Sequence, residues 1–497
     1  METIKLSPFL KMLLFLALSL ATFMIVLDYS IANVSIPYIA GDLSVSVDQG
    51  TYVITSFAVG NAIGLAMTGW LTRRFGIVYL LCASLLLFSF FSWVCGASLN
   101  LEMLVINRFI QGFVAGPMIP LSQSLILQTS TKGNQSRDLS IWSMIVVTAP
   151  VLGPILGGYI SEWHRWTWIF YINVPIGTFC ACVIWMILRH TQSPREKAPI
   201  DVSGFCYLVL GVSSLQILLD KGQQWDWLNS PVICGLIVIS TISFTLLIIR
   251  EVFHDNPFLK LRVFSSSLFS LSIICLSVSY AAYFGSFVLV PLWLQQYMGY
   301  DAVWAGISVS SIGIAPIFLS VLTPKLMKLV GNFNTLIVGF SFFTAACFYT
   351  AYFTPQIDVL HILGSRFFFG IGMVCYIIPL IAMSVEGIAP ENLPNATSIF
   401  HFIRAMVGGI GTSVFTTLFQ RKTIFHHERL AETLTPFSPL LQNVPKGQSL
   451  ALLNGETDVQ ASMLAMNDAF FLMGWLFLGL IALLFLGNAV CKKQMKY

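Results

Sequence analysis

Four charges stand in segments that are otherwise apolar. Asp28 lies in the run MIVLDYSIANVSIPYI, and Arg108, Arg366 and Arg404 lie in three later runs. A charge at the centre of a membrane span costs about 2.5–3.5 kcal/mol on insertion scales, so each must face a partner or a wet cavity. At a helical rise of about 1.5 Å per residue, Asp28 sits about 13 Å from the outer end of its run at Pro37. Arg108, entering near Glu102, sits about 9 Å below its own outer end. The two are at comparable depth, which permits an ion pair or a water-linked one. Two readings stay open. In one, Asp28 titrates, and gaining or losing a proton changes the cost of exposing the site to either side. In the other, the pair is structural and fixes helix register. Arg366 and Arg404 have no obvious intramembrane acid and could instead bond backbone carbonyls. His401, three residues before Arg404 on one helical face, reads as a hydrogen-bonded core residue.

Other chemistry is scarce. There is no GxxxxGK[ST], no HExxH and no GxSxG, so nucleotide-driven, zinc-protease and serine-hydrolase chemistry have no footing. An ion gradient is then the expected energy source, and neither enzyme activity nor a cofactor is expected. Nine of the ten cysteines lie inside apolar runs, without a CxxC pair, and read as small buried hydrophobes. Adjacent His426 and His427 are the one metal suggestion, and no metal centre is expected from them.

The elements that must carry these residues follow from composition. The chain has 497 residues, is 56% hydrophobic and 10% charged, and has a mean hydropathy of +0.81. Soluble domains carry roughly 25% charged residues, so lipid must face much of this surface. A span needs about 20 apolar residues. That ruler places spans near 12–36, 51–71, 78–98, 102–127, 139–160, 167–188, 203–220, 230–249, 267–293, 304–323, 334–353, 358–385, 395–420 and 466–490. The first, though preceded by Lys5 and Lys11, is long, contains Asp28 and lacks a small-residue cleavage site; it reads as an uncleaved span. With both termini in the cytoplasm, seventeen basic residues fall on inner segments and six on outer ones, four of those six in the outer loop 421–465. This is the positive-inside bias, and it supports an even number of spans.

Two stretches rich in charge and proline, 189–201 and 250–262, bracket spans seven and eight. They divide the chain into an N-terminal six-helix bundle (1–188), a linker with two extra helices (189–262) and a C-terminal six-helix bundle (263–497). An internal echo supports the division. Arg108-Phe109 with Gly112 and Pro120-Leu121 in span four matches Arg366-Phe367 with Gly370 and Pro379-Leu380 in span twelve. Many secondary transporters build a midplane site from such repeats. In span five, Gly153, Pro154, Gly157 and Gly158 mark a kinked or closely packed helix.

Several of these residues together resemble a known family. Gly69-Trp70-Leu71-Thr72-Arg73-Arg74-Phe75-Gly76 resembles the loop signature of the major facilitator superfamily, and Arg108-Phe109-Ile110-Gln111-Gly112 its second motif. Gly153-Pro154 with Gly157-Gly158 resembles the motif of its antiporters. Leu27-Asp28 through Pro37, Pro117-Met118-Ile119-Pro120-Leu121-Ser122-Gln123-Ser124, and Trp168 through Gly177 are similar to EmrB-type fourteen-span drug:proton antiporters. The resemblance implies an all-α integral membrane protein with the major facilitator fold, two six-helix bundles plus two inserted helices. It implies a proton-driven exporter of amphiphilic drugs in the bacterial inner membrane, working with a periplasmic adaptor and an outer-membrane channel. Asp28 would be its proton site and Arg108 the modulator, while Gly69, Arg73, Arg74 and Gly76 would act in conformational change. Arg73 departs from the pattern, which usually has an acid there, and this puts the family's charge-latch account of that loop in doubt. Tyr29, Asn33, Gln123, Tyr280, Tyr283, Phe284, Phe287 and Tyr376 are candidate substrate-binding residues by motif proximity or depth. Export of an endogenous metabolite, such as a siderophore, fits the same machinery. A transport-dead membrane sensor would need a signalling domain, and the inner loops are short.

Overall fold

The computed structural model describes residues 7–130, 133–190, 201–253, 259–300, 302–320, 322–433 and 449–494. Among these every regular element is helical. Lipid offers no hydrogen bonds to a backbone, and a helix satisfies its N–H and C=O groups internally. The helices are α1 (Pro8–Asp42), α2 (Tyr52–Phe75), α3 (Ile77–Gly96), α4 (Leu101–Thr129), α5 (Gln135–Trp163), α6 (Trp168–Leu188), α7 (Val202–Lys221) and α8 (Pro231–Phe253). They continue with α9 (Ser267–Gln296), α10 (Ala302–Leu319, then Thr323–Val330), α11 (Asn332–Thr350), α12 (Val359–Val385), α13 (Leu393–Thr433) and α14 (Ser449–Gln494). Twelve are long and apolar enough to span a membrane, or thirteen if α10, bent by 63° at its break, is one span. The remaining expected span, 139–160, lies within α5, where the side chains at 147, 151, 154 and 155 are outside the described residues. The linker segments 191–200 and 254–258 are also outside them.

The outer loop expected at 421–465 is in large part helix. α13 runs on to Thr433 and α14 starts at Ser449, leaving 434–448 outside the described residues. No glycine or proline interrupts 421–433, so the helix has no reason to stop at the span's end. At 41 residues, α13 is about 60 Å long, twice the hydrocarbon thickness. Beyond its apolar part, Lys422 and His426 both meet Asp468 of α14, at 3.1 and 3.0 Å, and His427 meets Asp458 at 2.8 Å. The two histidines thus serve as cross-helix partners of carboxylates.

By contacts the chain forms two compact units. One comprises Met1–Ile273 with Ile381–Met406, and the other Ile274–Leu380 with Val407–Tyr497. In the first unit α2 and α4 approach through glycines on both sides. A Cβ at Gly60 would collide with the Phe109 carbonyl oxygen, one at Gly64 with that of Phe113, and one at Gly112 with that of Phe57. These are backbone obstacles that cannot swing away. Small residues spaced by four allow this approach, and it sets Arg108, one turn before Gly112, against α2. Residues 393–401 join the first unit through polar contacts. Ser398 Oγ donates to the Leu65 carbonyl, Ser124 and Thr397 share a 3.0 Å hydrogen bond, and His401 Nε2 lies 2.5 Å from Gln123 Oε1.

The second unit is built round stacked rings, with Phe343 over Phe477 (centroids 4.7 Å) and edge-on to Phe369 (5.0 Å). The repeat read from the sequence has a backbone counterpart. Gly76 joins α2 to α3 with φ +87°, and Gly331 joins α10 to α11 with φ +85°. Each is the hinge between the second and third helix of its set of six, in a conformation that L side chains rarely adopt.

Gly112→Ala is expected to destabilise the protein by about 1–3 kcal/mol, the usual cost of overpacking. Gly158→Ala should be neutral, since nothing lies within 4 Å of the added Cβ. Thermal unfolding in detergent distinguishes the two; equal midpoints would show that the α2–α4 approach is not tight.

Candidate functional site

Asp28 of α1 is 2% exposed and Arg108 of α4 is fully buried. Arg108 Nη1 donates to Asp28 Oδ2 at 2.6 Å and to Gln111 Oε1 at 2.8 Å. The other carboxylate oxygen, Oδ1, accepts from Asn173 Nδ2 of α6 at 2.7 Å. Asn173 Nδ2 also donates to Ser92 Oγ of α3 at 3.0 Å, and Ser92 in turn donates to the Phe170 carbonyl at 2.9 Å. Arg108 Nε points to the Val53 carbonyl of α2 at 3.4 Å, and the guanidinium carbon stands 4.2 Å over the Phe57 ring. One acid therefore gathers side chains from α1, α3, α4 and α6, with α2 as a wall.

Local sequence explains the placement. Asn100 caps α4 by accepting from Met103 N at 2.8 Å, which fixes where the helix begins and how deep Arg108 lies. Arg108 and Gln111 are three apart and share a face, as are Ser92 and Cys95; the Cys95 thiol donates to Gln111 Oε1 at 3.5 Å. Leu27, Ile31, Val53, Ile169 and Phe170 pack round the pair in one apolar cluster. In such a medium the ion pair is held by geometry and by its extra hydrogen bonds as well as by charge.

The glycines of span five meet the same helix. Gly153 faces Ser30, and a Cβ at Gly157 would lie 3.0 Å from the Ile31 carbonyl oxygen. Ser30 Oγ donates to the Pro150 carbonyl at 3.2 Å. The run thus packs α5 against α1 two or three residues from Asp28. Pro154 lies in α5 with its side chain outside the described residues, and Gly158 faces open space. Gly69 is buried in α2, whose last turn carries Arg73 and Arg74, a favourable place for positive charge.

The remaining candidates fall in different places. Tyr29 is 37% exposed and its ring lies 6.1 Å from Phe57; Asn33 is exposed and donates to the Tyr29 carbonyl at 3.0 Å. Gln123 belongs to the His401 contact and not to the Asp28 network. Tyr280, Tyr283, Phe284 and Phe287 form a ladder along α9, with Tyr280 and Phe284 centroids 4.8 Å apart. Tyr376 is fully buried and joins Tyr283 through Phe343, at 5.3 and 6.3 Å. Arg366 is fully buried in the second unit, and Arg404 is half-buried one turn beyond His401. A groove of about 410 Å³ between α11 and α12, lined by Phe342, Tyr349, His361 and Phe368 among others, contains none of the candidates. Sequence reasoning assigned no role to Asn173, Ser92 or Gln111. A lone amide in the apolar start of α6 was the available signal for Asn173.

The network predicts a strong coupling. Arg108→Gln strands a buried carboxylate and should destabilise by about 3–5 kcal/mol. Adding Asp28→Asn should recover part of that loss. Additive losses in a double-mutant cycle of thermal stability would show that the two side chains do not depend on one another.

Comparison with known proteins agrees with this architecture. Residues 18–412 match the family described as Major Facilitator Superfamily. The chain is 41% identical over 485 residues to the multidrug export protein EmrB of Escherichia coli (strain K12), covering 94% of this chain and 93% of that one. It is 37% identical over 488 residues to the fatty acid resistance protein FarB of Neisseria gonorrhoeae, covering 95% of each. Among solved structures, the proton:xylose symporter XylE shares the fold with a TM-score of 0.58 at 13% identity, over 95% of this chain and 96% of that one. With the motifs of α2, α4 and α5 in place and similarity over nearly its whole length, this chain belongs to the major facilitator superfamily as an EmrB-type membrane transporter.

Proposed function

We propose that this chain is a proton-driven multidrug exporter of the bacterial inner membrane, an antiporter with both termini in the cytoplasm. The observation that carries the reading is the buried Asp28–Arg108 pair with Asn173 on its second oxygen. As a carboxylate, Asp28 holds α1 to α4 through Arg108 and to α6 through Asn173. A proton on Asp28 removes the negative charge of the pair, leaving a hydrogen bond from a cationic Arg108 to a neutral acid, which is weaker. Arg108 keeps Gln111 as its acceptor, and Asn173 Oδ1, which has no partner when Asp28 is charged, can accept from the new hydroxyl once the amide turns over. The network can therefore exchange partners on protonation without leaving the carboxyl group unbonded. Gly153 and Gly157 give α1 a close-fitting surface on α5 along which to shift.

The names of the relatives, multidrug export and fatty acid resistance, support amphiphilic cargo. The aromatic ladder of α9 suits such molecules, since pockets for them have apolar walls and few polar groups. Partnership with a periplasmic adaptor and an outer-membrane channel is supported by the helical extensions of α13 and α14, a docking hairpin that exposes Ile424 (61%) and Phe425 (43%).

Efflux of a drug panel from an exporter-deleted bacterium tests the coupling. Wild type should show efflux that an uncoupler abolishes, and Asp28→Asn should show none while still binding drug. Full uncoupler-sensitive efflux by the Asn variant would remove Asp28 as the proton site. For the hairpin, a photo-crosslinker at position 424 should capture the adaptor in membranes. Capture that is unchanged after Phe425→Asp would show that this face is not the docking surface.

A further inference from the structure

The two echoing arginines occupy the same register and differ in what answers them. Arg108 is the seventh residue after Leu101, where α4 begins, and Arg366 the seventh after Val359, where α12 begins. Both are fully buried. Arg108 has Asp28, brought by the first helix of the first six. At Arg366, the first helix of the second six, α9, brings Tyr283 instead, a phenol. Among the described residues the Arg366 guanidinium is met by hydroxyls and rings, with the Cys347 thiol also near. Nη2 donates to Thr350 Oγ1 and Ser365 Oγ, both at 3.1 Å, and Nε donates to Ser365 Oγ at 3.3 Å. The Phe369 and Phe470 rings lie 4.1 and 5.0 Å from its carbon. Nη1 has no partner, and no carboxylate among the described residues is within ion-pair distance.

A buried cation without a counter-charge is costly, and hydroxyls compensate it less than an anion does. A buried guanidinium nitrogen that lacks an acceptor is also a ready donor for an acid, because its N–H groups bond carboxylate oxygen strongly. We propose that Arg366 is the anion-recognition point of the cargo site. An acidic group on an amphiphilic cargo takes the place at Nη1 that Asp28 takes at Arg108, and the cargo's ring lies against Phe369 and Tyr283. The first set of six thus carries its own acid, whose proton can come and go, and the second set takes its acid from the cargo. That this acid belongs to cargo rests on the exporter reading; the anion site itself does not.

The test compares 2-naphthoate with 2-naphthamide, which share a ring system and differ in charge. Equilibrium binding is measured by calorimetry on the full chain in lipid nanodiscs. Wild type should prefer naphthoate by about tenfold or more, the scale of a hydrogen bond to a charged group. Arg366→Gln should lose that preference by weakening naphthoate alone, and Arg366→Lys should keep part of it. Should Arg366→Gln fail to assemble, Ser365→Ala, which unseats two of the guanidinium's contacts, should lower the preference in its place. Equal affinities in wild type, no naphthoate binding, or a preference that survives both variants would overturn the proposal. Energised efflux is measured separately. A wild type that prefers naphthoate but exports nothing would sink the exporter reading and keep the anion site, whereas normal efflux with equal affinities would do the reverse.

Discussion

A carboxylate and a guanidinium that cannot reach water must be answered inside the protein. In this chain that constraint is met by the Asp28–Arg108 pair, and much of the first unit is arranged to hold it. A single unpaired charge there would cost about as much as breaking a buried ion pair, about 3–5 kcal/mol. The pair survives because Gln111 and Asn173 take up further bonding capacity and Phe57 covers the guanidinium. The glycine contacts between α2 and α4 serve the same end. They let two backbones approach so that Arg108 reaches the Val53 carbonyl. The capping of α4 by Asn100 sets the depth at which it does so.

In the proposed function the same interaction is also the moving part. A tightly satisfied ion pair makes a poor switch if every atom is already committed. Among the described residues Asn173 Oδ1, an acceptor, is buried without a partner, as are the donors Arg108 Nη2 and Gln111 Nε2, so the network has one free acceptor for a rearranged proton and two free donors. Helix α1 is also the helix against which Gly153 and Gly157 pack. Asp28 therefore lies only two or three residues along the chain from where α1 meets α5.

The second unit solves the problem of intramembrane charge differently. Its arginine is wrapped in rings and hydroxyls, and its neighbour Phe369 belongs with Phe343 and Tyr376 to one aromatic core. Aromatic faces lower the cost of a desolvated cation without supplying an anion. The two sets of six share the glycine hinge at Gly76 and Gly331, yet they have diverged at the position where one supplies an acid.

Much of the architecture follows from the sequence alone, because the bilayer imposes a length and an apolar composition on each helix that can be read residue by residue. The positions of the helices come from that, as does the reading that sets Asp28, Arg108 and Arg366 apart as charges inside apolar helices, where the structure buries them. What needed tertiary structure was partnership. Helical periodicity places Gln111 beside Arg108, but nothing local says that Asn173, 145 residues from Asp28 in the chain, completes the carboxylate's bonding. Nor does it say that Gln123 turns to His401 instead. The segment 421–465 departs from the expected loop, being helix to Thr433 and again from Ser449, because hydropathy marks where a helix leaves lipid and is silent on whether it ends there. Which buried charge finds a partner depends on contacts between distant helices. Only the tertiary structure decided that Asp28 pairs with Arg108 while Arg366 has no carboxylate within ion-pair distance among the described residues.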